Sequence, residues 1–281
     1  MTVTRFAPSP TGYLHLGHVF AALTAARAGT QFLVRIEDLD QGRAREEFVS
    51  GIFEDLHWLG LSWEEPVLRQ SSRMEAYRAA LLRLQKEELL YPCFCSRADI
   101  TEEIAQALEA PHFDPLSAPP AGPDGPHYPG TCRALDAKER RRRIASGAPY
   151  TLRLDVAKAA KRAGPLTFRE KTESMAVDPF LFGDPVLARK DVPASYHLAV
   201  VVDDAFQNVG LVTRGEDLLP AAHVQRLLQK LLDLPEPAYA HHRLILDEKG
   251  RKFSKRAQAV TLRQMRADGA KTQDIRARLG I

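Results

Sequence analysis

The hydrophobic positions of the first 36 residues predict a strand, a helix and a second strand. Residues 3–6 fit a short strand, and the prolines and glycine of residues 8–12 then interrupt regular structure. A helix is predicted over residues 16–27 and ends at Gly29, because glycine often follows a last helical turn. Residues 31–36 form the next predicted strand. A strand, loop, helix and strand in this order are the building block of a parallel nucleotide-binding sheet.

The rest of the chain contains similar elements on both sides of a central region with a different character. Residues 111–129 contain seven prolines, which disfavour regular packing and predict a loop. The apolar run of residues 195–202 suits a central strand of a parallel sheet. Short strands are predicted near residues 150–155 and 166–170. Helices are predicted at residues 44–59, 73–88, 138–144, 220–232 and 261–278.

Composition and charge are those of an ordinary globular protein in water. The 281 residues are 44% hydrophobic and 27% charged, and no apolar run reaches the roughly 18 residues of a membrane-spanning helix. The N-terminus lacks the apolar core of a signal peptide, which predicts a cytoplasmic location. A net charge of +3, from 39 basic and 36 acidic residues, permits RNA binding without predicting it. Three cysteines are too few for a secreted disulfide framework.

The segment FAPSPTGYLHLGH, residues 6–18, places His15 and His18 about one helical turn apart where the first helix begins. Free backbone N–H groups and the helix dipole favour phosphate at such a terminus. Gly17 leaves space for a nucleotide to lie against the backbone. Two histidines there could donate hydrogen bonds to phosphates as charge builds up during attack at an α-phosphorus. For an isolated H-x-G-H, the alternative is two partly exposed histidines near a turn.

A second, basic segment lies far along the chain, with the sequence KFSKR at residues 252–256. It follows a predicted short strand beginning at Leu244 and a predicted turn at residues 249–250. Lysine suits a departing pyrophosphate because it carries a compact charge on a flexible stem. The alternative is a solvated basic loop at the surface.

Together, and in this order, the two segments resemble the HIGH and KMSKS motifs of class I aminoacyl-tRNA synthetases. The Pro-Ser-Pro-Thr-Gly sequence within the first matches the glutamate-type version of that motif. Phe253 stands where the second motif usually has methionine, and Arg256 stands in place of its last serine. The resemblance implies that His15, His18 and Lys255 act in catalysis by positioning and charge stabilisation. It assigns ATP binding to Pro8, His15, Gly17, His18, Lys252 and Lys255.

Four further stretches resemble the segments of glutamyl-tRNA synthetases that bind the amino acid. In the family, the residue that corresponds to Glu37 contacts the ammonium group of the substrate. Arginine is a natural partner for the substrate's carboxylates, because it can donate two parallel hydrogen bonds. The alternative is simple ion pairing, of Arg35 with Asp38 or of Arg214 with an acidic residue two or three positions further on, which contributes little at a surface. The residues assigned to the glutamate pocket are Arg5, Ser9, Glu37, Tyr196 and Arg214.

The cysteines Cys93, Cys95 and Cys132 predict a structural zinc site if a fourth ligand lies nearby. The alternative is three buried free thiols. Chemistry alone favours histidine as the fourth ligand, because it is the commoner one. A C-x-C followed by Tyr-x-x-x-Cys is, however, the zinc pattern of the glutamyl-queuosine tRNA(Asp) synthetase family, and it implies Tyr128. Zinc would stabilise an insertion too small and proline-rich to fold alone. The candidates for the fourth ligand are His112, His127 and Tyr128.

The predicted fold is α/β, a class I synthetase Rossmann-type parallel sheet with an inserted zinc-containing α+β subdomain and a short helical C-terminal region. The catalytic domain is predicted to be split between residues 1–90 and 191–240, with residues 91–190 as the insertion. Residues 241–281 would carry the KMSKS-like loop and the C-terminal helical region. No anticodon-binding domain is expected. The basic helix at residues 138–144 could approach RNA, although a solvated helix face is its more common role.

Within the glutamyl synthetases, the short C-terminal region resembles that of the glutamyl-queuosine tRNA(Asp) synthetase family. The resemblance implies activation of L-glutamate with ATP and Mg²⁺ to glutamyl-adenylate. Glutamate would then pass to the queuosine base in the anticodon of tRNA(Asp), with one structural Zn²⁺ and no obligate protein or membrane partner. The alternatives are a minimal glutamyl-tRNA synthetase that charges the acceptor end, a small-molecule nucleotidyltransferase and a non-catalytic RNA-binding paralogue.

Overall fold

A computed structural model describes residues 1–108, 121–189, 193–246 and 260–281 of the protein. The predicted N-terminal strand, helix and strand are confirmed, and a third strand pairs with the second. The two predicted strands are parallel, and their register places Val3 opposite Gln31. These elements are β1 (Val3–Phe6), α1 (Leu16–Ala28), β2 (Gln31–Ile36) and β3 (Glu64–Arg69).

A second set of strands lies beside β1 and extends the sheet. Its first three members are parallel to one another, and the last pairs antiparallel with the third. The Gly210 N–H, just before the first of these strands, donates to the Val3 carbonyl at 3.0 Å and joins the two sets. The strands of this set are β11 (Leu211–Gly215), β12 (Ala238–His242), β8 (Thr167–Glu170) and β9 (Glu173–Ala176), in that spatial order.

Helices cover both sets of strands and close the hydrophobic core. One core cluster joins side chains of α3, α6, α7 and α8, while another packs α1 against the two C-terminal helices. Among the described residues, no helix is both long and apolar enough to cross a membrane. These helices are α2 (Glu46–Trp58), α3 (Met74–Lys86), α6 (Val156–Ala163), α7 (Tyr196–Phe206), α8 (Ala221–Leu231), α9 (Leu262–Ala267) and α10 (Thr272–Leu279).

The central region forms a small antiparallel sheet with strand order β10-β7-β4. The strands near residues 150–155 and 166–170 are confirmed, but the second belongs to the main sheet although it lies inside the predicted insertion. Strands of four residues carry too little pattern to reveal which sheet they join. The elements of the region are β4 (Leu90–Cys93), α4 (Arg97–Leu108), β5 (Ala121–Gly122), β6 (Gly125–Pro126), α5 (Ala137–Ala145), β7 (Thr151–Leu154) and β10 (Val186–Ala188).

The strand predicted at residues 195–202 is wrong, because this segment forms the start of α7. The Ser195 hydroxyl accepts a hydrogen bond from the Leu198 N–H at 3.4 Å and caps the helix. Most of α7 is buried, so its sequence lacks the alternation of apolar and polar positions that identifies a helix with one exposed face. A short apolar run does not distinguish a buried helix from a buried strand.

Two other differences concern the ends of elements. The helix predicted at residues 261–278 is two helices, separated near Gly269, whose φ of 88° breaks the first one. The strand predicted from Leu244 is displaced, since β12 ends at His242. The basic helix α5 is confirmed, and none of its described residues is buried. It therefore has the solvated face that its sequence favours.

Candidate active site at the carboxyl edge of the sheet

A cavity of about 1220 Å³ lies at the carboxyl edge of the sheet, where β1 and β11 are neighbours. The connection after β1 leads away to β2 and the one after β11 leads the opposite way to β12, which leaves a crevice between them. Lys252 and Lys255 lie outside the described residues. The predicted site residues that line this one cavity are Arg5, Pro8, Ser9, His15, Gly17, His18, Glu37, Tyr196 and Arg214.

The two predicted phosphate-binding histidines stack at the N-terminus of α1. Their ring centroids are 3.7 Å apart with an interplanar angle of 25°. The His15 backbone N–H donates to His18 Nδ1 at 3.2 Å. A neutral His18 therefore carries its proton on Nε2, where it can be donated to a ligand.

Gly17 is needed for this arrangement of rings. A Cβ at this position would lie 3.0 Å from Cε1 and 3.1 Å from Nδ1 of His15, closer than most real contacts. The absence of a side chain thus allows His15 to fold back over the first turn of α1. Gly17 is predicted to leave space beside the backbone, and it also leaves room for the imidazole of His15.

The described residues on either side of the KFSKR segment both lie at this cavity. Leu244 and Ile245, which precede it, line the cavity wall. Thr261, which follows it, forms an antiparallel bridge with His15, and the Leu262 N–H donates to the Leu14 carbonyl at 2.7 Å. The described chain therefore resumes beside His15.

A buried group of charges lies beside the cavity, and two of its members, Arg5 and Glu37, line the cavity wall. Asp204 on α7 accepts hydrogen bonds from Arg5 Nε at 2.9 Å and from Arg35 Nη1 at 2.8 Å. Arg35 Nη2 lies 3.7 Å from Glu37 Oε1. Arg35 therefore pairs with Asp204 and Glu37, and the alternative pairing with Asp38 is wrong, since Asp38 accepts instead from the residue at position 71.

Burial and charge act in opposite directions on these groups. Burial raises the pKa of Glu37 to about 7, although the charges of Arg35 and Arg5 lower it. Burial also acts to raise the pKa of Asp204, but the two arginine charges outweigh it and hold that pKa below its ordinary value. Asp204 is therefore a permanent anion, whereas Glu37 gains or loses a proton near neutral pH.

Arg214 is held on three sides and is not the surface ion pair considered above. Its Nε donates to His241 Nε2 at 3.0 Å, and its Nη1 donates to Gln225 Oε1 at 2.8 Å and to the Tyr196 hydroxyl at 3.2 Å. Among the described residues, Nη2 has no hydrogen-bond partner although it is buried. Because Tyr196 accepts from Arg214, its own hydroxyl proton remains available to a ligand.

Three residues that shape this end of the site were missed by the sequence analysis. Asp204 follows an apolar run within α7, His241 lies near the carboxyl end of β12, and Glu170 is the last residue of β8. Their signal was a polar side chain at the end of a buried element. Sequence alone gave no partner for them, because Asp204 is 199 positions from Arg5.

The three cysteines converge as predicted. Their sulfur atoms lie within 4.8 Å of one another, and Cys95 Sγ is 3.4 Å from Cys132 Sγ. The Tyr128 hydroxyl is 3.5 Å from Cys95 Sγ and accepts the Cys132 backbone N–H at 2.7 Å. Burial raises the pKa of the Cys95 thiol to about 12. Three thiols and one phenol at these distances fit the donor number of a tetrahedral zinc site.

The other described candidate for the fourth ligand lies elsewhere. His127 Nε2 is 3.1 Å from the Leu181 carbonyl, and its ring packs beneath Gly183. Tyr128, in contrast, is in contact with the thiols. His112 lies outside the described residues. Of the two described candidates, only Tyr128 can join the cysteines without a rearrangement.

Similarity to known proteins agrees with this geometry. The family model for the catalytic domain of class I tRNA synthetases (E and Q) matches residues 1–279. A glutamyl-Q tRNA(Asp) synthetase of Rhodobacter capsulatus is 47% identical, with 99% of this chain and 100% of the relative covered. A glutamate–tRNA ligase of Aquifex aeolicus is 36% identical over 95% of this chain and 54% of the relative.

A solved structure leads to the same family. A glutamate tRNA ligase from Elizabethkingia meningosepticum, in complex with its amino acid, superposes with a TM-score of 0.72 at 27% identity. The match covers 96% of this chain and 53% of that one. The chain therefore belongs to the class I tRNA synthetases for glutamate and glutamine, and is a ligase of the class I aminoacyl-tRNA synthetase type.

Proposed function

We propose that this ligase activates L-glutamate with ATP and Mg²⁺ and transfers the glutamyl group to the queuosine base in the anticodon of tRNA(Asp). The observation that carries the proposal is the single cavity shared by the phosphate-binding histidines and the buried arginines. The histidines and arginines come from both halves of the chain, and their charges and donors suit a triphosphate bound beside an acidic amino acid.

ATP would lie with its phosphates at the N-terminus of α1. The free N–H groups and the helix dipole favour negative charge there. His18 supplies an Nε2–H donor, because its Nδ1 is occupied by a backbone N–H. Pro8 and Gly17 line the same part of the cavity and leave the backbone open to the nucleotide. Lys252 and Lys255 would add positive charge at the leaving pyrophosphate.

Glutamate would lie between the two buried charge groups. Its α-ammonium would meet Glu37, and its side-chain carboxylate would accept hydrogen bonds from Arg214 Nη2 and the Tyr196 hydroxyl. Arg5 and Ser9 would complete the pocket. The two oxygens of a carboxylate can accept hydrogen bonds from both Arg214 and Tyr196. The NH₂ group of a glutamine amide would instead place a donor against one of these two donors. This arrangement favours glutamate over glutamine.

The first chemical step is an in-line displacement. An α-carboxylate oxygen of glutamate forms a bond to the α-phosphorus, the bond between that phosphorus and its bridging oxygen breaks, and pyrophosphate leaves with the electron pair. His15, His18 and Lys255 would stabilise the developing charge, to which Mg²⁺ bound with ATP would add positive charge, and no covalent enzyme intermediate is required. In the second step a hydroxyl of the queuosine diol attacks the activated carbonyl carbon, and AMP leaves.

The choice of RNA is supported by the relatives. The glutamyl-Q tRNA(Asp) synthetase of Rhodobacter capsulatus matches this chain over its whole length. Two other relatives with that name, from Symbiobacterium thermophilum and Nocardia farcinica, are 42% and 44% identical. Cys93, Cys95, Cys132 and Tyr128 would hold a structural zinc ion that stabilises the inserted region.

Location of the transferred label tests the proposal. The protein is incubated with ATP, Mg²⁺, labelled glutamate and tRNA(Asp) that either contains or lacks queuosine, and the RNA is then cut with nuclease. We expect label in the anticodon fragment, and only for the tRNA that contains queuosine. Label in the 3′-terminal fragment would instead support a minimal glutamyl-tRNA synthetase, the activity named for the Aquifex aeolicus relative.

The ATP site has a test of its own in Lys255→Ala. Loss of a charge-stabilising donor should suppress glutamate-dependent ATP–pyrophosphate exchange by about 10²-fold or more. The exchange rate is measured at saturating glutamate, and an unchanged rate would contradict the role of this lysine.

A further inference from the structure

Arg214 is the last member of a chain of side chains that crosses three neighbouring strands. Glu170 ends β8, His241 lies on β12, and Arg214 lies opposite His241 in the parallel register of β11. His241 Nδ1 is 2.6 Å from Glu170 Oε2, and its Nε2 is 3.0 Å from Arg214 Nε. The sequence separations of 71 and 27 residues show that the fold, not local structure, assembles this row.

The hydrogen-bond directions in the row are fixed by elementary chemistry. A carboxylate only accepts, so the His241 proton lies on Nδ1, facing Glu170. The guanidinium only donates, so His241 Nε2 must be the acceptor for Arg214. A histidine protonated at Nε2 would place two N–H groups against each other. Glu170 also accepts the His241 backbone N–H at 2.9 Å, which fixes the ring and the carboxylate together.

The charges agree with these directions. His241 is buried beside the positive charge of Arg214, and both effects lower its pKa, while Glu170 acts against them. Among the described residues, Arg214 has no carboxylate within the 4.0 Å of an ion pair, since its contacts are the neutral groups of His241, Gln225 and Tyr196. Arg214 is 5% exposed. A buried guanidinium without a direct anion is unfavourable until an anionic ligand binds.

We propose that Glu170 and His241 are positioning residues that lock the guanidinium of Arg214 and reserve its Nη2 for the carboxylate of the amino acid. The row accounts for Nε, and Gln225 and Tyr196 account for Nη1. Nη2 is then the one nitrogen without a partner among the described residues. This inference rests on the proposed function, because it assigns an anionic amino acid to this end of the cavity.

Glutamate-dependent ATP–pyrophosphate exchange tests the role of Glu170, with tRNA present in every assay. In Glu170→Gln the amide can donate to His241 as well as accept from it, so only Arg214 still favours the proton on Nδ1. We expect the KM for glutamate to rise about ten- to a hundred-fold, the scale of a charged hydrogen bond, with the KM for ATP within about twofold of the parent. A purely structural defect would change both constants.

Two variants make this test specific. Glu173→Gln changes an exposed glutamate on β9, directly across from Glu170, and should leave both constants unchanged. Glu170→Asp keeps the charge one methylene further away and should give a KM for glutamate between those of the parent and Glu170→Gln. If Glu170→Gln does not fold, a parental KM in Glu170→Asp overturns the proposal, as does an unchanged KM in folded Glu170→Gln.

A second readout does not depend on catalysis. The ¹⁵N spectrum of the His241 ring in the parent protein should be that of an imidazole protonated only at Nδ1. A ring protonated at Nε2 in the parent would overturn the positioning role. Absence of any glutamate-dependent exchange in the parent, with the Nδ1 signature present, would instead reject the proposed function and leave the row of side chains intact.

Discussion

At the residue scale, Glu37 is a group in the cavity whose charge changes near neutral pH. Burial is the main cause, since it disfavours the carboxylate and raises the pKa to about 7. Folding therefore favours the protonated form of Glu37. Its contribution to stability is present below the ordinary pKa of a glutamate and is lost as pH rises through about 7. The ammonium of a bound amino acid would favour the carboxylate instead.

Burial favours protonated Glu37, whereas a bound ammonium favours its carboxylate, and together these effects predict a pH-dependent affinity for glutamate. Binding requires Glu37 to lose its proton, so the KM for glutamate should fall about tenfold between roughly pH 6 and pH 8 and then level off. The KM is measured by ATP–pyrophosphate exchange at saturating ATP. Glu37→Gln is the control, and its KM should be high and nearly independent of pH. A parent KM that rises with pH would contradict the assignment of the ammonium to Glu37.

At the element scale, the start of α1 depends on the missing side chain of Gly17. Any Cβ would press on the His15 ring, at 3.0 Å from Cε1. The helix itself would gain from alanine, by up to about 1 kcal/mol. The geometry of the site therefore favours glycine at position 17, although helix propensity favours alanine.

Gly17→Ala should separate these two effects. We expect a raised KM for ATP and a kcat for exchange reduced by up to about 10²-fold, because small displacements of catalytic groups have large effects. The melting temperature should not fall. Gly210→Ala is the matched control, since a Cβ there meets no atom within 4 Å. Parental kinetics in Gly17→Ala would show that the His15 ring position is unimportant.

The cysteine cluster has its own test at this scale. The parent should retain about one zinc per chain after dialysis against a chelator, as expected for a structural site. Tyr128→Phe removes the hydroxyl that contacts Cys95 and Cys132 and should lower the retained zinc. His127→Ala should retain the parental amount, because His127 contacts the Leu181 carbonyl instead. The reverse order, measured by elemental analysis, would assign the site to His127.

The elements also show what the sequence could and could not predict. The unit from β1 to β2 was predictable because a glycine stop and two apolar runs flank one helix. The segment at residues 195–202 was assigned to a strand because a fully buried helix such as α7 has no polar stripe. Its Ser195 cap was the local signal that could have corrected the assignment.

At the scale of the whole molecule, buried charges join the first two strands to the distant helix α7. Arg5 and Arg35 come from β1 and β2, whereas Asp204 comes from α7, and the three are almost fully buried. The residues predicted for the site, nine of which line one cavity, could be proposed from motifs because the family resemblance extends over most of the chain. The partners of those residues could not, since pairing over 169 and 199 positions is determined only by the fold.

This network predicts a large effect of Asp204→Ala on stability. Removal of the carboxylate leaves two buried arginines without their anion, which should cost about 3–5 kcal/mol. Urea unfolding measures the change as a shift of the transition midpoint. Glu87→Ala breaks the exposed ion pair with Arg162, at 3.2 Å, and should cost less than about 1 kcal/mol. Equal effects of the two substitutions would mean that the buried network does not stabilise the contact between these strands and α7.

The most direct test of the whole account is a crystal structure with ATP, Mg²⁺ and L-glutamol, which keeps the ammonium and the side-chain carboxylate but cannot react. We expect the triphosphate to contact His18 and Lys255, and the analogue to lie with its carboxylate on Arg214 and its ammonium at Glu37. A structure with Lys255 and His18 on separate surfaces, or with the analogue outside this cavity, would contradict the account.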